Sequence, residues 1–208
     1  NTPERGFSLL NPGQLDMRMN PNQRISALKN VNETKTEELA NIIYEFGEER
    51  WSRRIARSIE RVRQRNRITT TQQLAEIISA AIPRKKRYQK IHPATRTFQA
   101  LRIAVNQELE NLDNVLNHAI TALKPGGKLC VISFHSLEDR RVKRFFRESA
   151  RGDRYPPDLP ITQDHIRPTL RLITRARRPS ADDVKRNVRA RSAVMRVAER
   201  TNQPLPCA

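Results

Sequence analysis

The spacing of the apolar residues in this 208-residue chain first departs from a purely helical period at the turn Lys124-Pro125-Gly126-Gly127. Before the turn, apolar residues recur at intervals of three or four, which is the period of an amphipathic helix. After it, the short apolar run at 128–134 predicts a buried strand, and two further strands are expected at 170–174 and 193–198. A chain that combines the two periods in this way is predicted to be an α/β protein.

The predicted helices fall into two blocks, a helical block at about 21–90 and an α/β block at about 91–200. Residues 1–33 are rich in proline and glycine and are expected to be irregular. Thr36 is a suitable N-cap, either Thr70 or Thr71 can cap the next helix but one, and a basic loop is expected at 84–87. The expected helical regions are 36–47, 48–65, 70–83, 94–123, 136–150 and 180–186.

The chain is strongly basic, because 40 Lys and Arg residues against 22 Asp and Glu residues give a formal charge of +18. Arginine supplies 31 of the 40. Since a guanidinium forks onto phosphates and stacks on bases, this excess favours a nucleic-acid partner over a surface that is charged only for solubility. The hydrophobic fraction of 37% still allows a packed core.

Composition excludes several classes of protein. No run approaches 18 apolar residues, so no membrane span is expected. The two cysteines, Cys130 and Cys207, do not suggest disulfides and favour a cytoplasmic location. Four scattered histidines without a C-x-x-C pair predict no metal site. None of the six glycines forms a G-x-G or P-loop pattern, so no cofactor-binding residue is expected within this chain.

The end of the strand predicted at 128–134 carries side chains suited to chemistry. His135, Ser136, Glu138 and Asp139 follow it, where the next helix begins. Open α/β sheets bind ligands beyond the carboxyl ends of their strands, near the free N–H groups of helix N-termini. The alternative is structural: Ser136 is the N-cap and Asp139 returns a hydrogen bond to the backbone, as in a capping box. Both roles can hold together.

A second candidate is a polar stripe on the helix after Pro93. We interpret it as a set of RNA contacts, and a solvated helix face is the alternative. The stripe consists of Arg96, Gln99, Arg102 and Asn106. Earlier in the chain a run of arginines forms a broad positive face, part of which Glu48, Glu49 and Glu60 could neutralise. These arginines are Arg50, Arg53, Arg54, Arg57 and Arg61.

Five ordered segments resemble one protein family. They are RGFSLLNPGQLDMRM at 5–19, EFGEERWSRRIARSI at 45–59, HPATRTFQALRIAVNQEL at 92–109, LKPGGKLCVISFHSLEDRRVKRFF at 123–146 and RARSAVMRV at 189–197. In sequence and order they are similar to the bacterial-type 16S ribosomal RNA (cytosine-N4)-methyltransferase family. The chain departs from the family pattern at Asn20, where an Asp is usual, and at Val188, where a Pro is usual.

The resemblance implies the C-terminal part of a class I, Rossmann-like S-adenosylmethionine methyltransferase with a helical insertion domain. Residues 1–20 would be a loop that follows a missing N-terminal half-sheet, and the run at 128–134 would be the fifth strand, with one edge left unpaired. The last two strands would form an antiparallel pair, and the main S-adenosylmethionine loop would lie upstream. The remaining parts would be the insertion at 21–90, which recognises the substrate, the C-terminal part of the methyltransferase domain at 91–200 and a tail at 201–208.

The resemblance also implies a reaction, the transfer of a methyl group to N4 of a cytosine in the 16S rRNA of the small ribosomal subunit. His135, supported by Asp139, would lie near the reacting amine, and Asp16 and Arg18 would shape the pocket floor. A non-catalytic RNA-binding or ribosome-associated module is the alternative, a DNA-binding protein is a third interpretation, and a homodimer is left open. The residues expected to contact RNA are Arg96, Gln99, Arg102, Asn106 and Ser136.

Overall fold

The chain divides into two compact units, Asn1–Glu108 and Leu109–Ala208. Within the described residues, no helix combines the length and the apolar character that crossing a membrane requires. The basic segment expected at 84–87 lies outside the described residues. A computed structural model describes residues 5–9, 11–83, 91–152 and 166–204.

The described part of the first unit is built from helices. They are α1 (Ala27–Glu33), α2 (Thr36–Gly47), α3 (Ser52–Arg63), α4 (Thr71–Ala81) and α5 (Thr95–Asn106). Each helix turns apolar residues three and four positions apart toward a common core. The N-terminal segment also enters this core, through Leu15 and Met17. Among the helical core residues are Val31, Leu39, Ile43, Ile55, Ile59, Leu74, Ile78 and Leu101.

The helix starts are predicted with mixed success. Thr70 caps α4 as expected, and Gln73 completes a capping box with it. The cap of α2 is Lys35, and Thr36 is already helical, with a hydroxyl that donates to Glu60 at 2.7 Å. The prediction that residues 1–33 are irregular throughout is wrong, because α1 occupies the end of that range. A seven-residue helix with two buried residues is too short to show a period.

The helical region expected at 94–123 is two helices. After α5, Gln107 takes a left-handed φ of 49°, and α6 (Glu108–Ala122) begins at the next residue. Glu48 ends α2 in the same conformation, so the helix predicted to start at 48 begins four residues later, at Ser52. A break of one residue is missed because the apolar spacing of three or four continues across it.

The second unit combines helices with a small antiparallel sheet, which confirms the α/β class. After α6 come β1 (Lys128–Ser133), α7 (Ser136–Arg151), β2 (Leu170–Leu172), α8 (Ala181–Arg186), a 3-10 helix (Val188–Ser192) and β3 (Val194–Arg200). The two late strands and the helix between them are as predicted. β3 is the middle strand, and β1 and β2 each pair with it in antiparallel register.

Among the described residues, only one face of β1 is covered. Leu129 and Val131 of β1 turn toward the core of the second unit, whereas Cys130, Ile132 and Phe134 point to the opposite side. Ile132 and Phe134 are each 54% exposed. The prediction of a fully buried strand is therefore wrong, because successive side chains alternate and one face alone packs against helices. That core consists of Leu116, Ile120, Val142, Phe146, Leu170 and Ala198.

Candidate functional site

The junction between β1 and α7 holds three of the predicted site residues. His135 is the N-cap of α7, with an extended backbone at φ −143° and ψ 165°. Its Nδ1 accepts a hydrogen bond from the Glu138 N–H at 3.4 Å, and Glu138 Oε2 accepts one from the Phe134 N–H at 2.8 Å. The capping box is therefore His135 with Glu138. A box of Ser136 with Asp139 is wrong by one residue, because Ser136 is the first helical residue.

The two ring nitrogens of His135 have different surroundings. Because Nδ1 is the capping acceptor, a neutral ring carries its hydrogen on Nε2. Nε2 is buried and has no hydrogen-bond partner among the described residues, although it lies 3.3 Å from Glu138 Oε1. Burial raises the pKa of Glu138, but the His135 imidazole and the Phe134 N–H outweigh burial and leave that pKa below its ordinary value. The junction thus presents an ionised carboxylate beside an imidazole N–H of fixed direction.

Asp139 is engaged by Arg196, which lies on β3. The Nε of Arg196 is 2.8 Å from Asp139 Oδ1, and its Nη2 is 2.9 Å from Oδ2, so the pair is a bidentate fork. The fork joins the first turn of α7 to the middle strand of the sheet. Sequence reasoning missed Arg196, although it belongs to the RARSAVMRV segment that carries part of the family resemblance. Ser136 is exposed beside this turn.

In the first unit, Asp16 and Arg18 form an ion pair within the N-terminal segment, with 2.6 Å between Arg18 Nε and Asp16 Oδ1. The Arg18 guanidinium also donates to the carbonyl oxygens of Pro21 and Gln23. The hydrogen bond to Asp16 raises the pKa of Arg18. The Arg18 guanidinium therefore links the two ends of the segment from 16 to 23, and the Asp16–Arg18 pair fixes the shape of that segment.

Asn106 fixes the same segment to α5. Its Nδ2 donates to the Met17 carbonyl at 2.8 Å, and its Oδ1 accepts from the Met19 N–H at 2.7 Å. The residue is only 4% exposed. Arg102, one turn earlier, forms a bidentate ion pair with Glu108 at 2.8 Å for both contacts. These two members of the predicted polar stripe are engaged in structural contacts within the first unit.

The other two members of the stripe, Arg96 and Gln99, line a pocket of about 410 Å³ in the first unit. Trp51 forms part of its wall, and the Arg50 guanidinium lies 4.8 Å from the centre of the Trp51 ring. Arg96 also donates to the Glu48 carbonyl at 3.1 Å. An aromatic ring beside guanidinium groups can stack a base and contact its phosphate. The other lining residues are Glu49, Ile82, Ile91, His92, Pro93 and Thr95.

Each unit brings some of the sequence-predicted residues together. His135, Ser136 and Asp139 meet at the start of α7, and Arg96 and Gln99 meet at the pocket. Trp51 and Arg50 join the second group without having been predicted as binding residues. A Trp followed by a run of arginines in EERWSRRIARS is the sequence feature that could have indicated them.

Comparison with known proteins gives consistent results over nearly the whole chain. A model of the MraW methylase family matches residues 1–201. The ribosomal RNA small subunit methyltransferase H proteins of Nitrosococcus oceani and Thioalkalivibrio sulfidiphilus are each 52% identical to this chain, over 95% and 96% of its length. The protein of the same name from Halothermothrix orenii is 54% identical over 95% of it. The chain spans 62%, 63% and 64% of the length of these three relatives. With matches of this extent and identity, the chain belongs to the MraW methylase family.

Proposed function

We propose that this chain is part of an S-adenosylmethionine-dependent methyltransferase that acts on N4 of a cytosine in 16S ribosomal RNA. The observation that carries the proposal is the family match over residues 1–201, among relatives named as methyltransferases of small-subunit ribosomal RNA. Because these relatives are named as methyltransferases, a non-catalytic RNA-binding module is not favoured. The charge of +18 suits a polyanionic substrate, and we place the reaction in the cytoplasm, where ribosomal subunits assemble.

In this proposal the second unit belongs to the C-terminal part of a Rossmann-like domain, with β1 as its fifth strand. The antiparallel pairing of β2 with β3 supports this placement, and so does the uncovered apolar face of β1. The helices between 21 and 90 would form the insertion that recognises the substrate. Residues 1–20 would connect them to the preceding half of the sheet, and 201–208 would be a tail.

S-adenosylmethionine would supply an electrophilic methyl group, but the described part of this chain offers no glycine-rich cradle for it. The usual cradle is a glycine-rich turn between a strand and a helix. Gly126 and Gly127 precede β1, and Gly152 ends α7. Gly6, Gly13 and Gly47 belong to the first unit. We therefore assign no cofactor-binding residue here and propose that the binding loop lies in a preceding part of the whole protein.

For the chemistry, we assign His135 the task of orienting the base. The lone pair of a cytosine N4 is delocalised into the ring, so this amine needs alignment with the methyl donor and loss of a proton. The capping bond leaves the hydrogen on Nε2, which is buried in this chain, so His135 would donate to an acceptor atom of the cytosine ring after the side chains around Nε2 rearrange. Glu138 would hold the imidazole, and Asp139, through its fork with Arg196, would position the helix that carries both. The base has to leave its stack to reach the junction.

For RNA contacts we propose Arg96 and Gln99, because they share a pocket with the stacking surface of Trp51. Ser136 would contact RNA from the exposed first turn of α7. The remaining predicted residues would act by fixing the shape of the first unit, since their side chains are engaged in contacts within that unit. These residues are Asp16, Arg18, Arg102 and Asn106.

The test is a methyl-transfer assay with the complete protein that carries this chain, small ribosomal subunits and labelled S-adenosylmethionine. After digestion of the RNA to nucleosides, mass spectrometry should find the label in N4-methylcytidine. A His118→Asn variant, changed at an exposed histidine of α6, serves as the matched control for changes at His135. Label in another nucleoside, or no transfer by a folded complete protein, would contradict the proposed function.

A further inference from the structure

Five arginines form one exposed surface on and just before α3. We call it the arginine face, and it consists of Arg50, Arg53, Arg54, Arg57 and Arg61. Spacings of three and four place them on the same side of the helix. The opposite side carries Ile55, Ala56 and Ile59, which are fully buried, so the helix has a fixed orientation in the first unit. From Arg53 to Arg61, at a rise of 1.5 Å per residue, the row extends over about 12 Å along α3.

Two acidic residues of this region, Glu49 and Glu60, are engaged in other contacts and do not neutralise the arginine face. Glu60 is the one acidic residue of α3, and its carboxylate pairs with Arg63 and accepts hydrogen bonds from Thr36 and Gln64. Glu49 is buried and accepts from the Trp51 N–H at 2.9 Å. Within residues 5–9, 11–83, 91–152 and 166–204, no ion pair reaches Arg53, Arg54, Arg57 or Arg61.

Several arginines elsewhere among the described residues do have carboxylate partners, as Arg18, Arg63, Arg102 and Arg196 show. What distinguishes the arginine face is that its unpaired guanidinium groups lie together on one side of a helix. Like charges three and four positions apart on a helix repel each other, so an unneutralised row destabilises α3. A charge distribution of this kind is typical of a surface that meets an anionic partner.

We propose that the arginine face is a docking surface for the phosphate backbone of RNA. The choice of RNA as the partner rests on the proposed function, whereas the description of the arginine face is independent of that function. Two observations favour a nucleic acid over an acidic protein. The row consists of arginine alone, which forks onto phosphate oxygens. It also ends at Arg50, whose guanidinium lies 4.8 Å from the centre of the Trp51 ring at the pocket, so a strand that follows the row reaches a planar guanidinium, backed by an indole ring, on which a base can stack.

The experiment measures binding of a fluorescently labelled, single-stranded fragment of small-subunit RNA to the complete protein that carries this chain, by anisotropy. The test variant is Arg53→Gln/Arg54→Gln/Arg57→Gln. The control is Lys143→Gln/Arg144→Gln/Arg147→Gln, which removes the same charge from exposed positions of α7. Because each phosphate contact to a single strand contributes about −0.7 to the slope of log K against log salt, we expect the test variant to flatten the slope by about 2. Its affinity should fall about tenfold or more near 0.15 M salt, and that of the control much less.

Equal losses in the two variants would overturn the proposal, because net charge alone would then explain binding. An unchanged affinity in the test variant would overturn it as well. Competition with poly-L-glutamate distinguishes a nucleic-acid partner from an acidic protein. If poly-L-glutamate displaced the labelled RNA at the same concentration of charge as unlabelled RNA does, the arginine face would not be specific for a phosphate backbone. Circular dichroism of both variants confirms folding. Since no methyl transfer is measured, failure here is distinguishable from failure of the proposed reaction.

Discussion

At the scale of the residue, His135 has two tasks that can be separated by substitution. Its Nδ1 caps α7, and its Nε2 is the group that we assign to the base. Asparagine is a favourable N-cap but lacks a group at the position of Nε2. Alanine has neither.

We expect His135→Asn to leave the stability of the 208-residue chain close to that of the parent, and His135→Ala to lower it by about 1 kcal/mol. In the complete protein both substitutions should lower methyl transfer about a hundredfold, because a fixed hydrogen-bond donor at the base is lost. Urea unfolding and single-turnover methyl transfer measure the two effects. Activity that survives in His135→Asn would show that His135 acts as a cap alone.

Glu138 makes stability at this junction dependent on pH. Its pKa in the folded chain lies below the ordinary value of 4.5, so its carboxylate contributes stability that is fully present above that value. The contribution is lost as the pH falls through 4.5 toward the folded pKa. Glu138→Gln keeps an acceptor for the Phe134 N–H but has no charge.

We therefore expect Glu138→Gln to lower the free energy of unfolding at neutral pH and to lose this difference from the parent in acid. Urea titrations at neutral pH and at pH values lowered stepwise below 4.5 check the prediction, because protonation of Glu138 makes the parent resemble the variant. Glu148→Gln, on an exposed position of the same helix, corrects for the loss of a carboxylate in general. A difference that stays constant across this range would contradict the assigned role of the charge.

At the scale of the element, the segment from 16 to 23 depends on a side chain of α5. Asn106→Ala would leave the Met17 carbonyl and the Met19 N–H without their partners, and an unmet buried group costs about 1–3 kcal/mol. We expect a loss of that size in urea unfolding of the chain. Gln99→Ala, on the same helix at the pocket, should change stability by less than about 0.5 kcal/mol. Equal losses in the two variants would contradict the special role of Asn106.

The sequence predicts the existence of elements here better than their ends and their contacts. Capping of α4 by Thr70 follows a common rule and is confirmed, whereas histidine is an unusual N-cap, so the cap of α7 was expected one residue later. The polar stripe on α5 can be recognised from the spacing of its residues. That spacing cannot show that Asn106 binds a backbone carbonyl 89 positions away in the chain. Periodicity reports which face of a helix is polar, and long-range partners decide what that face does.

At the scale of the whole molecule, the uncovered face of the sheet governs behaviour in solution. Ile132 and Phe134 are exposed side by side with Cys130, and β1 pairs on one edge with β3. Apolar strands with a free edge recruit other strands. Relatives of this chain are longer by roughly half of its length, which gives room for a covering layer in a complete protein.

We expect the 208-residue chain on its own to self-associate in sedimentation velocity and to give no saturable heat with S-adenosylmethionine in calorimetry. Ile132→Thr should reduce self-association, since it removes an apolar group from the uncovered face. Val115→Thr, changed at an isolated exposed valine of α6, should not. A monodisperse monomer that binds the cofactor at micromolar concentration would contradict both the strand placement and the assignment of the binding loop to a preceding segment.

The strand order β1-β3-β2 also fixes the moment at which the sheet can form during synthesis. β1 and β2 are made first, but each pairs with β3, the last strand of the three along the chain. About 60 residues separate the end of β1 from the start of β3, and at 5–20 residues per second a ribosome needs about 3–12 s to add them. During that interval the nascent β1 lacks its partner strand β3, and its apolar side chains can bind chaperones or neighbouring chains. The start of α7, with His135 on it, is tied to the sheet only when Arg196 has been made.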